Sequence, residues 1–233
     1  MIRRLEVAIF AVAFALAGLI TFAFLWSGDG PYTWLANANG VTGMTYVSHE
    51  PCPPPAGGCF VGGQVSVEVM RAWHAQWVAY VTGAQTDPPS SLGREIFFTR
   101  DEYAHMADVR RVFDGAKVVL AVAVVVLAIR LQRALVRRDA LRLVRDGALA
   151  ATIGVLVVGV VAAVAFDPLF LLFHEVFFPQ GNFLFDPASS NLIRLYPDWY
   201  WQGITGLVAG SVVAVGAVVA GTCALALRRL RAR

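Results

Sequence analysis

From Gly147 to Phe166 the chain runs through twenty residues without a single charge. A helix of about 20 apolar residues covers the roughly 30 Å of bilayer hydrocarbon, so this stretch has the length of a membrane span. Leu5 to Trp26 supplies another, interrupted only by Glu6 at its edge and by small polar residues, and Gly203 to Leu227 a third. Val118 to Ile129 is apolar over only twelve residues. It becomes long enough if the helix begins near Val109 and runs to about Leu131. That extension sets Arg110, Asp114 and Lys117 at i, i+4 and i+7 on one helix face. Such a face must look into protein or water, since charge against lipid costs several kcal/mol. The reading is an all-α integral membrane protein, a four-helix bundle with spans at about 5–26, 109–131, 147–166 and 203–227. Composition agrees: the chain is 58% hydrophobic and 15% charged, with mean hydropathy +0.62. A water-soluble globule cannot hide that much apolar surface, which excludes a soluble enzyme, and disorder would need the opposite balance.

Arginine placement sets the expected topology. The stretch from Arg130 to Asp146 holds six arginines against two aspartates, and the tail holds Arg228, Arg229, Arg231 and Arg233 without an acid. Arg3 and Arg4 lie at the N-terminal tip. The intervening segments are acidic: Ser27 to Asp114 has five arginines against nine acids, and Asp167 to Asp198 one against four. Basic loops stay cytoplasmic, so both termini and the short arginine loop face inward and the acidic segments outward. This placement accounts for the pI near 9.0 without nucleic acid. A cleaved signal peptide is disfavoured, because the first apolar run is about twice the usual 7–15 residues. Trp26, Tyr196, Trp199, Tyr200 and Trp201 sit where interface belts of aromatics are found.

Residues 27–108 form a small extracytoplasmic cap. Its first half, with the Pro51 to Pro55 stretch and the pairs Gly57-Gly58 and Gly62-Gly63, reads as loop. Cys52 and Cys59 lie in this outward loop, where a disulfide is the expected state; a metal pair or redox dithiol needs further ligands or a CxxC spacing. Cys223 reads as packing within the last span. From Ser66 the pattern turns helical, with Val69, Trp73, Trp77, Tyr80 and Val81 three, four and seven apart, and Gly83 ends it. His49 and His74 belong to no recognisable pattern.

Two histidines do. Thr99 followed by Glu102 is a capping box, so a helix begins there and carries His105 about two turns above the membrane part. Asp108 follows at i+3, close enough to orient the imidazole. The second histidine, His174, lies in 167–202, a phenylalanine-rich outward segment. That segment is too apolar for water and too broken by proline to cross, so it should be an interfacial or re-entrant loop after span three. On spacing alone the first cluster is equally a solvated helix face and the second a membrane-anchoring loop. Together, two imidazoles with one or two carboxylates suit either a metal site or a general acid and base. Serine-hydrolase elbows, HExxH helices and phosphate loops are absent from the sequence.

The motif Phe98-Thr99-Arg100-Asp101-Glu102-Tyr103-Ala104-His105-Met106-Ala107-Asp108-Val109 resembles one in the bacterial lipoprotein intramolecular transacylase (Lit) family. So does Phe173-His174-Glu175-Val176-Phe177 with Gly181-Asn182-Phe183-Leu184-Phe185-Asp186-Pro187. The likeness covers roughly Ser66 to Asp114 and Phe166 to Tyr200. The stretch around Cys52 and Cys59, and Phe183 in place of a tryptophan, depart from it. The resemblance implies an enzyme that moves the sn-2 acyl chain of a diacylglyceryl-cysteine lipoprotein onto its N-terminal α-amine, giving the lyso form. Its partners are then the diacylated lipoprotein N-terminus and membrane lipid, and no cofactor or metal is implied. His105, steadied by Asp108, and His174 would divide the base and acid roles. Asn182 would help bind the oxyanion, Arg110 or Lys117 would meet lipid carbonyls, and Asp186 would support the second motif. A metal-dependent membrane hydrolase, a noncatalytic scaffold and a disulfide-handling redox protein are the rival classes.

Overall fold

The computed structural model describes residues 2–49, 62–90 and 97–232. The Cys52 and Cys59 pair, with the disulfide expected of it, lies outside the described residues. In chain order the elements are α1 (Ile2–Trp26), α2 (Asp29–Ala38), β1 (Gly43–Val47), β2 (Gly62–Ser66), α3 (Val67–Val81), α4 (Arg100–Val136), α5 (Ala140–Val164), α6 (Phe166–Phe177), α7 (Asn191–Leu195) and α8 (Asp198–Arg231). Four of these, α1, α4, α5 and α8, are long and apolar enough to cross a membrane. The chain divides into two units, Met1–Trp26 with Gly115–Phe166 and Thr205–Arg233, and Ser27–Asp114 with Asp167–Ile204.

The first unit is what a bilayer solvent would select. Val122, Val158 and Val218 are 58–65% exposed, a costly surface in water and an ordinary one against acyl chains. Helix α5 packs on α1 through Gly147, where an added Cβ would meet the Phe10 ring at 2.4 Å. Phe10, Ala134 and Leu143 form the buried cluster beside that contact. Charges gather at the same end of these helices. Arg137 grips the Glu6 carboxylate with both guanidinium nitrogens, at 2.8 and 3.0 Å, and Arg3 reaches Asp146 at 2.6 Å. The turn from α4 to α5 closes with Arg138 at φ 58°. The Asp139 N–H donates to Ala134 O at 2.9 Å and the Arg138 N–H to Leu135 O at 3.0 Å, a left-handed helix cap that usually takes glycine.

In the second unit the expectation of loop through the first half of the cap is corrected. Residues 29–38 are helical, with Tyr32, Leu35 and Ala36 burying one face. β1 and β2 pair antiparallel, Tyr46 opposite Gly63. The glycine pair that read as turn chemistry serves this pairing. A Cβ on Gly62 would stand 2.8 Å from Tyr46 O, and one on Gly63 2.6 Å from the Tyr46 ring. Glycine in a strand here marks close approach, not a break. The helical stripe after Ser66 is present as α3, which buries Met70, Trp73, His74, Trp77, Tyr80 and Val81, and Gly83 follows at φ 81°. Proline does not break the start of the segment after Phe166 either. Pro168 falls in the first turn of α6, where its missing N–H costs no helical bond.

His74 has a structural position at the centre of this unit. It stacks on Tyr32 with ring centres 4.2 Å apart. Its Nε2–H donates to Ser27 O at 3.0 Å, and its Nδ1 accepts from the Tyr196 hydroxyl at 3.2 Å. A carbonyl only accepts, which fixes the neutral tautomer, and burial pushes the imidazole down to about 4.

Candidate active site

His105 is positioned by the start of α4. The Thr99 N–H donates to the Glu102 carboxylate at 2.7 Å and the Glu102 N–H to Thr99 Oγ1 at 3.2 Å, the reciprocal box the sequence suggests. Glu102 does more than cap. It is fully buried, and its other oxygen accepts from Ser190 Oγ at 2.6 Å and from the Leu192 N–H at 2.8 Å. The first turn of α4 is thereby pinned to the entry of α7. Asn191 adds a second clasp: its side chain pairs with both the N–H and C=O of Val47 and donates to Phe97 O. Neither role has a motif; both follow from which polar groups the fold shuts away from water.

One turn beyond Glu102, His105 is buried, and its Nδ1 has no hydrogen-bond partner among the described residues. His174, on α6, lies with its ring centre 6.1 Å from that of His105 and the two planes 18° apart. Its Nδ1 donates to Phe170 O, one turn back, at 2.8 Å. The tautomer follows: Nδ1 carries the hydrogen and Nε2 the free lone pair. Burial holds this imidazole below the ordinary histidine value, so it is neutral at pH 7. Phenylalanines wall the pair. Phe178 meets both rings, Phe185 meets His105, and Phe170 and Phe183 meet His174.

Asp108 shares the helix face of His105, but the expectation that it orients the imidazole directly is corrected. Its carboxylate accepts from Arg111, from Gln180 Nε2 at 2.5 Å and from Asn182 Nδ2 at 2.7 Å. Asn182 in turn accepts from Gln180 at 3.1 Å. Burial, and after it the neighbouring His174, push the His105 imidazole down to about 4, against which the nearby Asp108 charge acts directly, without a hydrogen bond between the two. The turn that delivers these side chains is closed by the Gly181 N–H on Phe178 O at 3.0 Å, with Gly181 at φ 77°.

Two of the expected participants have partners of their own. Asp186 folds its own turn, accepting from the Ala188 N–H at 2.9 Å. Arg110 lies over the Tyr80 ring at 4.9 Å and donates to Gln85 O at 3.0 Å and Thr86 O at 3.2 Å, so it braces the second unit instead of facing lipid carbonyls. Lys117 belongs to the first unit. Among the described residues no three His, Cys, Asp or Glu side chains are grouped as a metal site.

Four membrane-length helices and a buried, phenylalanine-walled imidazole pair define a multi-pass membrane protein with acid–base chemistry at its disposal. The model of the lipoprotein intramolecular transacylase Lit family matches residues 64–201, more than half of the chain, and the chain belongs to that family. It is therefore a transmembrane transferase of lipoprotein modification. Among solved structures it is similar to the membrane-integral lipoprotein intramolecular transacylase Lit of Bacillus cereus. The TM-score is 0.71 at 12% identity, over 100% of this chain and 99% of that one. A variant of that enzyme with one histidine replaced by arginine gives 0.66 at 12% identity, over 99% and 94% of the two chains. The corresponding alanine variant gives 0.67 at 12% identity, over 100% and 96%. At such identity the likeness speaks for the fold. No curated protein sequence matches.

Proposed function

We propose that this chain moves the sn-2 acyl group of an S-diacylglyceryl cysteine to the α-amine of the same cysteine, with His174 as base and His105 as proton carrier. Proton counting supports a pair of imidazoles. The α-ammonium, with pKa near 8, must lose one proton before it can attack, and His174 Nε2 is the free lone pair that takes it. The amine nitrogen then bonds to the ester carbonyl carbon. A tetrahedral oxyanion forms, which an Asn182 N–H is suited to hold. Collapse breaks the bond from carbonyl carbon to glycerol oxygen. The second proton on nitrogen passes to His105 Nδ1 and from there to the departing oxygen, leaving amide and free hydroxyl. His174 returns the first proton to solvent. No enzyme nucleophile is needed, because amine and ester share one molecule and proximity supplies much of the advantage.

The observation that carries this reading is the His174 Nδ1–H bond to Phe170 O, which frees Nε2 in a ring kept neutral by burial. The remaining features fit the same picture. Arginine placement, and the ion pairs joining the N-terminus to the α4–α5 turn, support cytoplasmic termini and an outward site. Leu172, Phe173, Val176 and Phe177 are exposed on α6, which suits an element at headgroup level. The test is a synthetic diacylglyceryl-cysteine peptide with different acyl chains at sn-1 and sn-2. The purified protein should transfer only the sn-2 chain, read by tandem mass spectrometry. Transfer of the sn-1 chain, or release of free fatty acid, contradicts the reading.

A further inference from the structure

Asn182 is useful to an oxyanion only if its amide points the right way, and a terminal amide rotates between two nearly equivalent states. Two contacts decide between them here. The Asp108 carboxylate, only 13% exposed, accepts and does not donate, so it draws the Asn182 NH2 group at 2.7 Å. Gln180 Nε2 donates both to Asp108 at 2.5 Å and to Asn182 Oδ1 at 3.1 Å. A reversed Asn182 would set oxygen against carboxylate and N–H against N–H. In the observed arrangement Asn182 gives one N–H to Asp108 and accepts one from Gln180, which directs its second N–H away from both. Gln180 is itself preset: it follows Pro179, whose φ is fixed, in the turn closed from Gly181 to Phe178. The long side chain of an exposed residue is thereby held across two partners at once.

We propose that Gln180 is a positioning residue for the acyl transfer, holding the Asn182 amide through their common acceptor Asp108 so that one N–H stays available to the oxyanion. This rests on the transacylase reading above. Gln180 bonds to Asp108 and Asn182 and to neither imidazole, so on this proposal its effect belongs in turnover and not in substrate binding. Removing it leaves Asn182 with a single hold. The expected loss in kcat is about tenfold, the factor of one hydrogen bond of ordinary net strength. Removing the Asn182 donor itself should cost about 10²–10³.

The experiment uses the full chain in lipid nanodiscs with a synthetic diacylglyceryl-cysteine peptide, measuring kcat and KM separately. Variants are Gln180→Ala, Gln180→Met (which keeps bulk and removes both donors), Asn182→Ala, and Gln180→Ala combined with Asn182→Ala. Both single Gln180 variants should lower kcat about tenfold at unchanged KM, and the double variant should be no slower than Asn182→Ala alone. Unchanged kcat in Gln180→Met, a loss confined to KM, or multiplied losses in the double variant overturns the proposal. His105→Ala and His174→Ala run alongside. If they stay active, the site reading falls; if they are dead while Gln180→Met matches the unmutated protein, only the positioning role falls.

Discussion

Replacing Glu102 with alanine should unfold the site without touching either histidine. In the native structure three donors converge on this carboxylate, which is fully buried: the Thr99 N–H at 2.7 Å, Ser190 Oγ at 2.6 Å and the Leu192 N–H at 2.8 Å. Each donor left unsatisfied costs about 1–3 kcal/mol. Allowing for relaxation and water entry, Glu102→Ala should lose about 3–6 kcal/mol, a large part of the 5–15 kcal/mol that holds a typical domain together. Glu102→Gln grades the argument. Its one remaining carbonyl oxygen can serve Ser190 and Leu192, while its NH2 faces the Thr99 N–H, so it should lose only about 1–3 kcal/mol. At about 2–4 °C per kcal/mol for a chain of this size, thermal unfolding in nanodiscs should fall by roughly 10 °C for alanine and by about half that or less for glutamine. Equal melting of Glu102→Ala and the unmutated protein, or a larger loss for glutamine than for alanine, refutes the clasp.

Stability should also depend on acid through His74. Its folded value, about 4, lies below the ordinary 6.5, so the unfolded chain takes up a proton the folded one refuses. The contribution is complete above about pH 6.5 and falls away as the pH drops towards 4, by up to about 3 kcal/mol. Unfolding followed against pH should show this slope, and His74→Gln should flatten it; an unaltered slope contradicts the assignment. Because burial lowers His174 as well, the acid limb of activity should lie below the ordinary histidine value; a limb at or above pH 6.5 speaks against His174 as base. Gly181→Ala meets no neighbouring atom but must adopt φ 77°, a cost of about 1–2 kcal/mol. It should slow turnover by displacing Gln180 and Asn182, with Gly181→Asn, which tolerates that region better, milder in the same assay. Chelators should leave activity unchanged. Loss in EDTA restored by zinc favours the metal-hydrolase reading instead.

Long periodic features of this chain were readable from sequence, because bilayer thickness and helix rise constrain them directly. The uncharged run from Gly147, the capping box at Thr99 and Glu102, and the stripe from Trp73 to Val81 are local patterns with one dominant physical outcome. Gly62, Gly63 and Pro168 misled for a common reason. Glycine and proline are read as breakers, yet glycine is required where a cross-strand neighbour leaves no room for a Cβ, and proline is tolerated in the first turn of a helix. Partners distant in sequence were the least legible. The spacing of Asp108 and His105 suggested contact, whereas Asp108 is spent on Gln180 and Asn182, more than seventy residues away. Likewise nothing near Glu102 announces Ser190 and Leu192, and Arg110 turns to Tyr80 only because α3 packs beside it.

The central claim is that this chain converts diacylglyceryl cysteine to the N-acyl, monoacylglyceryl form by means of two histidines. It is tested most directly in a bacterium that lacks amino-terminal acylation, expressing the chain or its His105→Ala and His174→Ala variants at equal membrane abundance. Tandem mass spectrometry then identifies the N-terminal lipopeptide of a resident lipoprotein. The account predicts N-acyl, monoacylglyceryl cysteine with the unmutated chain and unmodified diacylglyceryl cysteine with either variant. Diacylglyceryl cysteine throughout, with folded protein in the membrane, contradicts the activity, and the lyso form made by the variants contradicts the histidine mechanism.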